Sequence, residues 1–292
     1  MACVVWSGAE AAQHARKTPM RASPAPHSID GDAVTAARVP ALKSASVMVV
    51  RQDDGQMLYA KNANAVVPIA SITKLMTAMV VLDAKLPLGE HITISTDDMD
   101  EIKGTRSRLK VGSRLTRQDL LRLALMASEN RAAAALTRAY PGGTPAFVAA
   151  MNEKAMELGM YRSRFVDGTG LSSDNVSTAR DLVALVKGAY QYALIRDFTT
   201  ETEYTVEVSN GRTLRYRNSN RLVLNDDWEI GLSKTGYISE AGRCLVMQTV
   251  ISATPLFIVL LDSWGRLTRI GDANRIRKWV ESNGLRPVVA RP

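Results

Sequence analysis

Residues 68–87 read PIASITKLMTAMVVLDAKLP. Leu75, Met76, Met79, Val80 and Leu82 recur at helical spacing, which predicts a helix over 71–82. Ser71 and Lys74 lie three residues apart, and positions i and i+3 of a helix share a face, so the lysine can reach the serine hydroxyl. Pro68-Ile69-Ala70 would set Ser71 in the first turn. Free backbone N–H groups and the positive end of the helix dipole favour negative charge on reacting oxygens there. The plainer reading makes Ser71 a helix cap and Lys74 a surface charge.

Outward from that segment the periodicity changes. Upstream, the apolar runs 46–50 and 57–60 flank Asp53-Asp54-Gly55, a hairpin signal. Residues 1–43 are rich in Ala, Pro and Ser without any period, and they read as a flexible tail with no catalytic content. Downstream the chain is mostly helical. Thr116 with Asp119 resembles a capping box, and Thr178 with Asp181 repeats it. Thr144 is predicted to cap a helix that runs to residue 158 and ends at Gly159. After Leu214 come strands over 231–239, 243–251 and 256–262, the last two joined by a turn at 252–255, then a helix over 267–281. The expected class is α+β: residues 44–292 form one domain, with an antiparallel sheet built from both chain ends (about 44–62 and 230–292) and a helical lobe inserted between them. A cleft between sheet and lobe is the natural site.

Composition removes several function classes. Hydrophobic residues make up 46% and charged residues 23% of the chain, values ordinary for a globular protein. The net charge of +8 favours polyanions, but the basic residues are scattered along the sequence and no run with interleaved aromatics reads as a nucleic-acid module. Cys3 and Cys244, with His14, His27 and His91, lack metal-site spacing, so no metal is expected. Cys244 sits in an apolar run and reads as a small buried hydrophobe. No stretch reaches the 18 or so apolar residues of a membrane span, and residues 2–6 make a poor signal peptide.

Two further motifs follow Ser71-Ile72-Thr73-Lys74 in order: Ser128-Glu129-Asn130 and Lys234-Thr235-Gly236. Each is cheap alone, since Ser107-Arg108-Leu109-Lys110 is a second S-x-x-K and Ser173-Asp174-Asn175 a literal S-D-N. Context separates them. Ser107 lies in an arginine-rich segment with no apolar helix after it, and Ser173 in a turn composition. Ser128 and Asn130 interrupt two apolar helical segments, where a break can aim side chains into a cleft. Gly236 in a strand lets a substrate backbone lie close, and Lys234 supplies a cation. Serine needs a base to become a nucleophile, and no histidine is placed for that task. Lys74 can act only when neutral. Lowering its pKa from about 10.4 to about 7 is worth about 4 to 5 kcal/mol, a shift expected from partial burial and from the charge of Lys234. Ser128 would relay a proton to the leaving amine, and the backbone N–H groups of Ser71 and Tyr237 would form an oxyanion hole.

The three motifs resemble those of penicillin-binding proteins and serine β-lactamases. Longer stretches sharpen this: 68–87, 123–136 (LALMASENRAAAAL), 140–143 (YPGG), 175–182 (NVSTARDL) and 232–247 (LSKTGYISEAGRCLVM). On these the chain resembles a low-molecular-mass penicillin-binding protein of the D-alanyl-D-alanine endopeptidase branch. The resemblance implies a penicillin-recognition fold, a periplasmic address, and hydrolysis of D-alanyl bonds in peptidoglycan cross-links without metal or organic cofactor. It implies peptidoglycan stem peptides as substrates and β-lactams as covalent inhibitors. By position it implies Ser71 as nucleophile, Lys74 as base, Ser128 and Asn130 as cleft groups, with Asn130 on a substrate amide, and Lys234-Thr235 as the substrate strand. The chain ends soon after its last predicted helix, without the second β-rich domain and amphipathic anchor of larger relatives, so a soluble or loosely attached enzyme is expected. The alternatives are a D-Ala-D-Ala carboxypeptidase with the same site, a β-lactamase (for which Asp167 is a weak candidate water activator), and a non-catalytic wall-binding or β-lactam-sensing module.

Overall fold

The computed structural model describes residue 2 and residues 39–209, 211–283 and 288–289. The chain divides into two compact units, residues 1–36 and 37–292. Apart from residue 2, the first unit lies outside the described residues, and with it Cys3 and most of the stretch read as a tail. The end of that stretch is tied down. Leu42 is buried, and the backbone N–H groups of Lys43 and Ser44 donate to the buried Asp272 carboxylate at 3.0 and 2.7 Å.

Along the second unit, strands β1 (Ser46–Arg51) and β2 (Met57–Lys61) form the expected hairpin. The two-residue strand β3 (Val67–Pro68) leads into a 3₁₀ turn, Ala70–Ile72, and helix α1 (Thr73–Asp83). Short strands β4 (His91–Thr93) and β5 (Arg114–Thr116) pair across a long loop. Helices α2 (Arg117–Met126), α3 (Asn130–Arg138) and α4 (Gly143–Glu157), strand β6 (Val176–Ser177), and helices α5 (Ala179–Ala189) and α6 (Ala193–Thr200) complete the lobe. A hairpin of β7 (Glu203–Val208) and β8 (Arg212–Arg217) follows. The long strands β9 (Glu229–Ile238), β10 (Gly242–Ile251) and β11 (Thr254–Ser263), helix α7 (Thr268–Asn283) and strand β12 (Val288–Val289) close the chain.

The main sheet runs β12-β2-β1-β11-β10-β9, so it is built from both chain ends as expected. Its strands are antiparallel except that β12 runs parallel to β2. Both faces are covered. Met48, Val50, Phe257 and Val259 face the helical lobe, while Val47, Val49, Leu256 and Ile258 pack with Trp228, Ile276 and Trp279 on the other side. A strand buried on both faces loses its alternation, which is why these segments read as continuous apolar runs. Threonine caps Thr116 and Thr178 accept from the Asp119 and Asp181 N–H groups, as predicted.

Three expectations need correction. The cap of α4 is Gly142, in the left-handed conformation at φ 83°, and Thr144 lies inside the first turn. Strands begin before Leu214: Tyr204, Val206 and Val208 alternate with Glu203, Thr205 and Glu207, a period of two whose apolar half covers the lobe. Residues 193–200, without a recognised start signal, form α6 against β9 and α2.

Candidate active site

Ser71 sits in the 3₁₀ turn ahead of α1 rather than inside the helix proper. A 3₁₀ turn has three residues per turn, so side chains at i and i+3 eclipse. Lys74 Nζ accordingly lies 2.9 Å from Ser71 Oγ. The turn is clamped from two sides. A Cβ on Gly170 would come within 2.1 Å of the Ala70 carbonyl oxygen, and one on Gly236 within 3.2 Å of the Ser71 nitrogen. Ala70 itself is held at φ 47°, a costly conformation for alanine that the surrounding contacts impose. The Ile69 N–H donates to the Asn175 carbonyl at 3.1 Å, which fixes the approach to the turn.

The motifs converge on this point. Lys74 Nζ donates to Asn130 Oδ1 at 2.7 Å and to the Thr169 carbonyl at 2.5 Å. Lys234 Nζ donates to Ser128 Oγ at 2.7 Å and to the Thr235 carbonyl at 3.0 Å. Each lysine therefore holds one residue of the Ser128-Glu129-Asn130 break. Ser128 occupies φ 60° between α2 and α3, where Glu129 caps α3. Asn130 Nδ2 donates to Thr105 Oγ1 at 3.0 Å, so both ends of its amide are engaged. Thr235 Oγ1 donates to Ser219 Oγ at 2.8 Å. Gly236 lies against the Ser71 turn, and the exposed Tyr237 ring carries the Arg243 guanidinium 4.3 Å above it.

Lys74 and Lys234 are each only 1% exposed. Burial pushes Lys74 from 10.5 down to about 7, against the opposing pull of Asp167, Glu129 and Asp100. The expectation of partial burial is thus revised to complete burial, the leading cause of the shift, beside which the Lys74–Lys234 repulsion acts on both amines. Lys234 is itself pushed well below the usual lysine value by burial, then by the charges of Lys74 and Arg269. A neutral amine has two N–H donors and one lone pair. Here two neighbours, the Asn130 and Thr169 carbonyl oxygens, can only accept, and the third, Ser71, can donate. The lone pair is left facing the hydroxyl.

The decoy motifs lie elsewhere. Ser107 Oγ accepts from the Leu109 N–H at 3.0 Å in an irregular loop, and Lys110 is exposed. Asn175 is fully buried and braces the 165–175 loop. Asp167 accepts from the N–H groups of Thr169, Gly170 and Ser172, from Thr169 Oγ1 and from Asn175 Nδ2. It is a scaffold for the carbonyl that holds Lys74. The sequence reading missed Thr169, Thr105, Ser219 and Arg269, which donates to the Gly236 carbonyl at 3.0 Å. Thr169 acts through its backbone, which no side-chain pattern reveals. Its flanking glycines, Gly168 and Gly170, were the available signal.

A cavity of about 600 Å³ opens beside Asn130 and Thr169, lined also by Asp100, Thr137, Arg138 and Leu171. Among the described residues no helix is long and apolar enough to cross a membrane, and no group of three His, Cys, Asp or Glu could hold a metal.

Known proteins resemble this chain in sequence and in fold. The chain is 51% identical over 250 residues to a D-alanyl-D-alanine endopeptidase of Pseudomonas aeruginosa, covering 85% of this chain and 81% of that one. It is 49% identical over 259 residues to the D-alanyl-D-alanine endopeptidase of Escherichia coli, covering 88% and 84%. The crystal structure of the Streptomyces K15 DD-transpeptidase superposes with a TM-score of 0.76 at 27% identity, over 82% of this chain and 97% of that one. The family model described as D-alanyl-D-alanine carboxypeptidase, peptidase S11, matches residues 33–264, and the chain belongs to that family of serine peptidases.

Proposed function

We propose that this chain hydrolyses D-alanyl peptide bonds in peptidoglycan cross-links through an acyl-enzyme on Ser71. The observation that carries the reading is the buried amine of Lys74, 2.9 Å from Ser71 Oγ, with its other two neighbours able only to accept. Lys74, whose pKa is brought down to about 7, takes the hydroxyl proton in its neutral form as Ser71 attacks the carbonyl. The oxyanion is received by the backbone N–H groups of Ser71 and Tyr237, a contribution of about 3 to 4 kcal/mol. Ser128 delivers a proton to the leaving amine and is resupplied by Lys234, its partner at 2.7 Å. Lys234, Thr235 and Gly236 align the substrate strand, and Asn130 positions Lys74 at the edge of the cleft. Water then releases the acyl group. β-Lactams, which present a strained amide to the same nucleophile, acylate Ser71. The catalytic domain is the unit of residues 37–292, and its compartment is the periplasm, where its substrate lies.

The endopeptidase activity is supported by the two relatives at 51% and 49% identity that carry that name. A carboxypeptidase with the same site is supported by the family description and by a DacF carboxypeptidase of Bacillus subtilis at 31% identity. The two part at the substrate. Incubation with cross-linked peptidoglycan and with pentapeptide monomers, followed by mass spectrometry, should show loss of cross-links. Cleavage of monomers alone would transfer the assignment to the carboxypeptidase. Labelled penicillin should mark the Ser71 peptide, and an adduct on any other serine would overturn the nucleophile.

A further inference from the structure

Basic residues that are scattered in sequence are gathered by the fold beside the cleft. The loop between β4 and β5 carries Arg106 and Lys110, β5 begins at Arg114, and the β7–β8 hairpin carries Arg212, all exposed. Arg108 joins the two segments. Its Nη1 donates to the Arg215 carbonyl at 2.7 Å and its guanidinium stacks 3.9 Å over the Tyr216 ring. The Arg114 N–H adds a bond to Ser209 Oγ at 2.9 Å. The same loop is fastened to the start of α3. Asn130 Nδ2 donates to Thr105 Oγ1, and Arg131 Nη1 donates to the Leu109 carbonyl at 2.6 Å.

Arg106, Lys110, Arg114 and Arg212 have no ion-pair partner among the described residues, whereas Arg215 of the same hairpin is paired with Glu203. Four unpaired charges of one sign on joined segments give this surface a positive potential, which attracts a polyanion. We propose that this surface binds the carboxylates of polymeric peptidoglycan and delivers its stem peptides to Asn130 and Ser71. The inference rests on the peptidase reading above and adds to it the feature that holds the polymer.

The test is co-sedimentation of the full chain with purified sacculi at low and high salt, with anionic lipid vesicles as a second target. The quadruple variant Arg106→Ser, Lys110→Ser, Arg114→Ser, Arg212→Ser should bind sacculi about tenfold more weakly at low salt and lose the salt dependence of the parent protein. Its acylation by labelled penicillin should match the parent, which also shows that it folds. Replacing the three arginines by lysine should keep sacculus binding. Unchanged sacculus binding by the quadruple variant would overturn the proposal. So would a loss confined to the lipid vesicles, which would make the surface a membrane contact. Failure of the parent to form a Ser71 adduct would strike the peptidase reading instead, and sacculus binding would still report on this surface.

Discussion

Ser71 with Lys74 and Ser107 with Lys110 share a spacing, and in the folded chain they have opposite surroundings. In the first pair Ser71 lies in a 3₁₀ turn closed by Gly170 and Gly236, and Lys74 follows in the first turn of α1 with its amine sequestered from water. The second lies in an irregular loop where Ser107 serves its own backbone and Lys110 extends into solvent. Water stabilises the charged form of an exposed lysine, while burial removes that stabilisation and lowers the pKa. Moving Lys74 from 10.5 to about 7 is equivalent to about 5 kcal/mol, a cost met by the packing around it. The same tetrapeptide pattern thus yields a buried amine with a lowered pKa in one place and an exposed lysine in the other.

The most severe way to break the comparison is to exchange the serines. Ser71→Ala should abolish the penicillin adduct seen by mass spectrometry, and Ser107→Ala should leave it intact. Next come the lysines. Lys74→Ala should slow acylation by about a thousandfold, within the usual range for loss of a general base, while Lys110→Ala leaves the rate unchanged. Stopped-flow acylation measures both, and a fast Lys74→Ala variant would remove the base from the mechanism. Gly170→Ala places a Cβ 2.1 Å from the Ala70 carbonyl and so displaces the serine turn; acylation should fall about a hundredfold.

A smaller effect comes from pH. A base whose pKa is about 7 is protonated and inactive below that value and free above it. Acylation should therefore rise with pH through about 7 and level off, falling about tenfold for each unit below. A flat profile between pH 6 and 8 would contradict the burial argument. The smallest expected change is at Arg108, whose stacking on Tyr216 is worth about 0.5 to 1 kcal/mol; Arg108→Ala should lower the thermal midpoint slightly and spare acylation.

Much of this was legible along the chain. The hairpin at Asp53-Asp54-Gly55, the caps Thr116 and Thr178 and the three motifs depend on local chemistry, and local chemistry is written in consecutive residues. The β7–β8 hairpin is equally local, but the polar residues Glu203, Thr205 and Glu207 that alternate with Val206 and Val208 weaken its apolar signal. The role of Asp167 was different in kind. Its carboxylate organises five hydrogen bonds around a loop whose useful atom is a backbone oxygen, and no residue type encodes that.

Residue identity and spacing by themselves determined the first hairpin, the helix after Ser71, the three long C-terminal strands and the three motifs, because helix phase and strand alternation are properties of neighbours in the chain. Only the tertiary structure decided that Lys74 is fully buried, that Thr169 and Asn130 occupy its two N–H groups, and that separate basic segments meet beside the cleft. Those facts depend on desolvation and on contacts between residues as many as 107 positions apart, which follow from how the sheet and lobe close on each other.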